Sequence, residues 1–276
     1  MKATVFACVV LLLSPGPALA CGTDTDCRIG ERSYRIALPE PVPAGKKIGA
    51  IVYAHGYRGR ADRVMKNKGL LKVARDLGVA LIVVKSAGDD WSIPGAPTQS
   101  TIPGTDELVY FDRVVEDATS RFPIDRKRLL ATGFSAGGMM VWNLACFRGD
   151  LFAGFAPMAG TFWSPIPRTC PSAPVNLFHY HGTRDPIVPM AGRPIGAAQQ
   201  GNVQTAADLL RKDGSYGPAG ETGLSDKGLD CRRRQAMDKK TGAAKIFDLC
   251  LHEGKHEFRT GFVKRSWKQL QAIGAL

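Results

Sequence analysis

Apolar positions along the chain repeat with two periods. Short runs rich in β-branched and aromatic residues read as strands: "SYRIALP" (33–39), "IGAIVYAHG" (48–56), "VALIVVK" (79–85), "RLLATGF" (128–134), "LFAGFAPMAG" (151–160), "VNLFHYHG" (175–182) and "AKIFDLCLH" (244–252). Several are apolar on both parities, as strands covered on both faces must be. Helical spacing occupies the intervals, at about 61–77, 105–121, 137–148, 202–213 and 260–273. Strands alternating with helices predict an α/β fold, a mostly parallel, doubly wound sheet with helices on both faces. No low-complexity linker or repeat divides the chain, so one domain over 21–276 is expected.

Ligands of such sheets bind outside the carboxyl ends of the strands. The residues just past those ends are His55-Gly56-Tyr57, then Asp89, Asp90 and Trp91, then Ser135, Asp185 and His256. "GFSAGG" (133–138) fits Gly-x-Ser-x-Gly with an apolar strand before it and "GGMMVWNLACF" as a helix after it. Gly133 and Gly137 give the space that a serine on so sharp a turn requires. The pentapeptide also occurs by chance, and an ordinary glycine-rich turn is the alternative.

A serine hydroxyl needs a base to take its proton and an acid to orient that base, in the chain order Ser, Asp or Glu, His. "HGTRDPIVP" (181–189) offers Asp185 past a strand, with a plain Asp-Pro turn as the other reading. His179 and His181 lie on the strand and are expected to be packed within the sheet. His252 keeps the strand parity of Asp248 and Cys250, so its direction is set by the pleat. His256 follows Gly254 on a loop and is free to reach back to Ser135, which makes it the expected base. The backbone N–H groups of Ala136 and Tyr57 are the expected donors to an oxyanion.

Residues 1–20 hold Lys2, an apolar run from Ala3 to Leu13, a "SPGP" break and Ala18-Leu19-Ala20, the layout of a secretory signal peptide. The run is too short to span a bilayer, so a secreted or periplasmic protein is expected, with lipidation at Cys21 as the rival. Beyond the leader the cysteines are Cys21, Cys27, Cys146, Cys170, Cys231 and Cys250. Six cysteines allow about fifteen pairings, but these fall into successive pairs, so 21–27, 146–170 and 231–250 are expected. No metal or other cofactor is expected, since no CxxC pair is present. The formal charge of +12 gathers at Arg126-Lys127-Arg128, Arg232-Arg233-Arg234 and Lys239-Lys240. Scattered charge in an exported chain argues against nucleic acid and reads as solvated faces. A monomer is expected.

In order and spacing, "CGTDTDC", "AHGYRG", "FPIDRKRLLATGFSAGGMMVWNLAC", "LFAGFAPMAG", "HGTRDPIVP" and "HEGKHEF" resemble secreted α/β-hydrolases of the polyhydroxybutyrate depolymerase and feruloyl or acetylxylan esterase family. The resemblance spans nearly all of 21–276 and implies a serine esterase. It assigns the nucleophile to Ser135, the acid to Asp185 and the base to His256. The family's last segment is Gly-Gly-Gly-His-x-Trp-Pro; here "EGKHEF" replaces the glycine run and Phe258 stands at the tryptophan. Tyr57 stands where many relatives have cysteine.

The long polar stretch 85–104 is expected to face substrate, with Trp91 stacking on an aromatic acyl group or a sugar, or else covering the core edge. Trp163 is a second candidate. Attack on hydroxyalkanoate oligomers or polymer is the first functional reading, and removal of feruloyl or acetyl groups from plant polysaccharide the alternative. A serine peptidase, or a binding protein that lost catalysis on this scaffold, is a further possibility.

Overall fold

The computed structural model describes residues 21–42, 44–98, 106–221 and 228–276. The expected leader (1–20) and the end of the expected substrate-facing loop (99–104) lie outside the described residues. In chain order the elements are β1 Cys27–Ile29, β2 Arg32–Ala37, β3 Ile48–Ala54, α1 Ala61–Val64, α2 Lys68–Leu77, β4 Ala80–Val84, α3 Glu107–Arg121, β5 Ile124–Phe134 and α4 Ala136–Phe147. There follow β6 Gly154–Met158, β7 Leu177–Gly182, β8 Pro194–Ile195, β9 Ala198–Gln199, α5 Val203–Asp213, β10 Gly220–Glu221, β11 Leu229–Met237, β12 Ala244–His252 and α6 Thr260–Ala272.

One sheet runs in the order β1-β2-β4-β3-β5-β6-β7-β12-β11-β10 among the described residues, and β8 and β9 pair separately. Every neighbouring pair from β4 to β12 is parallel. The two margins, β1-β2-β4 and β12-β11-β10, are antiparallel. β3 and β4 are buried at every position, because helices cover both faces of the parallel part. Residues of α3, α4 and α5, among them Phe111, Trp142 and Leu210, build the core on one face. Leu70 of α2 and Trp267 of α6 join the core on the other. α4 is buried from Ala136 to Cys146, which explains why "AGGMMVWNLAC" carries no polar stripe.

The helical interval 61–77 divides in two, because Asn67 caps a new helix: its Oδ1 accepts the N–H of Leu70 at 3.0 Å. β11, which was not among the expected strands, pairs with β12 so that Cys231 faces Cys250 and Arg233 faces Asp248. Disulfides join Cys21 to Cys27, Cys146 to Cys170 and Cys231 to Cys250. The first ties the β1 margin, the second fastens the end of α4, and the third locks β12, the strand that leads to His256. Among the described residues no helix is long and apolar enough to cross a membrane.

Candidate functional site

Ser135 lies between β5 and α4 with φ 59° and ψ −123°. A residue with a Cβ enters this region at a cost of about 1–3 kcal/mol, so the surrounding structure must impose it. Its N–H donates to the Met158 carbonyl of β6 at 3.0 Å, and its carbonyl accepts the N–H of Met139 in α4 at 2.9 Å. A Cβ on Gly137 would overlap the Ala54 carbonyl, so glycine there lets the first turn of α4 close onto β3. The hydroxyl of Ser135 does not cap the helix. It is thereby left available, on a partly exposed residue.

Asp185 and His256 meet: Nδ1 of His256 donates to Oδ2 of Asp185 at 2.7 Å. The other carboxylate oxygen accepts the N–H groups of Ile187 (2.8 Å) and Val188 (2.9 Å). Burial alone would raise the Asp185 carboxyl, but the bonds from His256, Val188 and Ile187 outweigh it and hold the group below the usual carboxylate range. With Nδ1–H engaged, Nε2 is the ring nitrogen of His256 left to accept a proton or a hydrogen bond. The ring of Phe134, the residue before Ser135, lies 4.6 Å from the His256 ring, centroid to centroid.

The loop that carries His256 is fixed without a glycine run. His252 ends β12 opposite Gly182 and Leu229. Its Nδ1 accepts the N–H of Gly254 at 3.0 Å, and its carbonyl accepts the N–H of Thr183 at 2.7 Å. A Cβ on Gly182 would overlap the carbonyls of Gly254 and Lys255, so the loop rests directly on the end of β7, beside Asp185. Phe258 packs against Tyr53 and Phe134 at centroid distances of 5.3 and 6.0 Å.

Past β3, the N–H groups of Arg58 and Gly59 are occupied by the carbonyls of Asp89 and Gly56. The N–H of Tyr57 has no acceptor among the described residues. Ala136 opens α4, so its N–H has no carbonyl four residues back within the helix. His55 shapes this loop. Its Nε2 accepts the N–H of Ser86 at 3.3 Å, which places the proton on Nδ1 for the Gly56 carbonyl at 2.9 Å. Burial lowers its pKa and keeps the ring neutral.

Trp91 departs from the expected substrate contact. It is 0 % exposed, its ring lies against His55 and Phe111, and its Nε1 donates to the His55 carbonyl at 2.8 Å. Of the two expectations for this residue, the structure has the core edge: an indole N–H needs a buried partner, and the His55 carbonyl supplies one. Trp163 is likewise buried.

Ile187 was not among the expected site residues. Large apolar side chains exposed among the described residues are Tyr57 (51 %), Ile187 (44 %) and Met237 (61 %). Tyr57 follows β3 and Ile187 follows β7, strands on either side of β5 and Ser135. The backbone of Ile187 is held by Asp185 at its N–H and by Arg193 and Gln200 at its carbonyl. Its exposure therefore belongs to a fixed loop. The sequence signal was an apolar residue directly after the Asp-Pro pair.

The sheet order, with the strained serine after β5, the acid after β7 and the imidazole after β12, is that of the α/β-hydrolase fold. Solved structures agree. The chain matches the acetyl xylan esterase from Aspergillus awamori with a TM-score of 0.57 and 13% identity, over 86% of this chain and 94% of that one. It matches the Bacillus cereus carboxylesterase with a TM-score of 0.53 and 14% identity, over 88% and 94%. In sequence it is 34% identical over 165 residues to NocK of Nocardia uniformis subsp. tsuyamanensis, named as an esterase, covering 58% of this chain and 47% of that protein. It is 26% identical over 187 residues to feruloyl esterase C of Emericella nidulans, covering 65% and 64%. The matched part thus spans between about half and two thirds of these relatives' length. No protein-family profile matches the chain.

Proposed function

We propose that this chain is a secreted serine carboxylic-ester hydrolase working through an acyl-enzyme. Ser135 attacks the ester carbonyl while Nε2 of His256 takes its proton. The Asp185 carboxylate holds the imidazole by Nδ1 and stabilises the imidazolium that forms. The tetrahedral oxyanion is met by the N–H groups of Tyr57 and Ala136. Collapse expels the alcohol, protonated by His256, and water then repeats the sequence to free the acid and Ser135. The observation that carries this reading is the 2.7 Å His256–Asp185 bond, in a site whose serine is held at φ 59°. The esterase names of the sequence relatives support it, and the disulfides fit an oxidising compartment.

The exposed Tyr57 and Ile187 favour a substrate with an apolar portion. Hydroxyalkanoate oligomers meet that description and are the first reading. Esters of feruloyl or acetyl groups on plant polysaccharide are the second, favoured by the relative named feruloyl esterase C.

The test is covalent labelling by a fluorophosphonate, followed by kinetics on p-nitrophenyl esters of graded acyl length, hydroxybutyrate oligomers and methyl ferulate. Wild type is expected to be labelled at Ser135 and to hydrolyse one class preferentially, while Ser135→Ala loses both label and turnover. Hydrolysis that survives in Ser135→Ala overturns the mechanism. A preference for methyl ferulate over hydroxybutyrate oligomers selects the second substrate reading.

A further inference from the structure

Beneath the Asp185 loop runs a line of buried polar groups that the chemistry above leaves unused. Nε1 of Trp142 donates to Nδ1 of His179 at 3.3 Å. Nε2 of His179 lies 3.0 Å from Nδ1 of His181, and Nε2 of His181 lies 2.7 Å from the carbonyl oxygen of Val188. An indole N–H only donates and a carbonyl only accepts, so the direction of the whole line is determined. Each imidazole must accept at Nδ1 and carry its proton on Nε2.

Both rings are 0 % exposed. Burial first, then the neighbouring imidazole, lowers His179 well below the ordinary histidine value; burial also lowers His181, against the Val188 carbonyl and Asp185. Neutral rings are what the line requires, because an imidazolium at either place would set two N–H groups face to face.

The line starts and ends at informative places. Trp142 belongs to α4, the helix that begins directly after Ser135. Val188, at the far end, donates its own N–H to Oδ1 of Asp185. Nε2 of His181 is 3.8 Å from Oδ2 of Asp185, too far for a hydrogen bond, so the hydrogen-bonded link from His181 to the acid runs through the Val188 backbone. We infer that Trp142, His179 and His181 form a positioning relay that references the Asp185 loop to the nucleophile helix, with His181 as the residue that sets where the acid sits. The inference rests on the triad reading of Ser135, Asp185 and His256.

The experiment is a double-mutant cycle in kcat on one p-nitrophenyl ester, pairing His181→Leu with Asp185→Asn. His181→Leu frees the Val188 carbonyl and is expected to lower kcat about tenfold to a hundredfold with little change in KM, the scale of a small misplacement of catalytic groups. In the Asp185→Asn background the same substitution is expected to cost less than about twofold, because the group it positions is already lost. Equal factors in both backgrounds mean that His181 acts only through general stability, and the inference is wrong.

Should His181→Leu fail to fold, His181→Gln and His181→Asn decide. The longer amide carries a donor to the place of Nε2 and the shorter one does not, so Gln is expected to keep most of kcat and Asn to lose it; equal rates overturn the inference. Ser135→Ala separates the two levels. If it remains active, the triad reading itself falls. If it is inactive while the cycle is additive, only the relay does.

Discussion

His252 and His256 are four residues apart, and the peptide geometry around each gives it a different task. His252 is fixed by the pleat and turns its Nδ1 onto the Gly254 N–H. His256, past that turn, reaches Asp185. The difference was legible in the sequence because strand parity ends where Gly254 begins. Ser135 was legible for a similar reason, since strand, small residues and apolar helix follow one another in "LLATGFSAGGMM". Trp91 was not, because composition cannot say whether an aromatic residue in a polar loop points out or finds a buried carbonyl. Asp185, the proposed acid, invites a substitution that keeps the loop. In Asp185→Asn the amide oxygen still accepts from Ile187 and Val188, which turns the NH2 group toward Nδ1 of His256. The imidazole must then accept at Nδ1 and carry its proton on Nε2, the wrong tautomer for a base. Turnover of p-nitrophenyl acetate is expected to fall on the order of 10³- to 10⁴-fold, with a thermal midpoint near that of wild type.

Elements that obey one period were read nearly to their ends: β12 spans the expected 244–252, and α3, α4, α5 and α6 lie within a few residues of the expected intervals. β11 escaped because its inward positions are not all apolar. Leu229 and Cys231 face in, and Arg233, next on that parity, is paired with Asp248 of β12 through bonds of 2.7 and 2.6 Å. A charged residue neutralised from the next strand breaks the alternation that marks a strand, so "CRRRQ" read as a solvated basic cluster. The same ion pair has a structural consequence. Asp248 is almost wholly buried and Arg233 about one-fifth exposed, so removing the carboxylate strands a guanidinium against the sheet. Asp248→Ala is expected to cost about 2–4 kcal/mol in urea unfolding. Activity per folded molecule should be retained, because the Cys231–Cys250 disulfide still holds β12 in register.

Across the whole molecule, four of the five histidines resist protonation. His55, His179, His181 and His252 are buried, and desolvation leads the causes that lower each of them from 6.5. In the unfolded chain these rings recover their ordinary value. Below about pH 6.5 the unfolded state therefore binds more protons than the native state, and stability declines as pH falls. Above that value neither state is protonated and the contribution is complete. Each ring whose native value lies well below the window costs up to ~1.4 kcal/mol by one pH unit under its unfolded value. The depressed carboxylates, Asp26 and Asp185 among them, act in the same direction at lower pH: their contribution is full above their unfolded value of 3.8 and is lost as pH falls through their native values. Two windows should thus be separable. The urea midpoint is expected to be flat from about pH 8 to 7, to drop between about pH 6.5 and 5 with net proton uptake on unfolding, and to drop again below about pH 4. Asp90 and Glu107, whose carboxyls burial raises, oppose the first drop, so the check is made in Asp90→Asn/Glu107→Gln as well: a midpoint level from about pH 7 to 5 in both proteins would contradict the neutral state of the buried imidazoles.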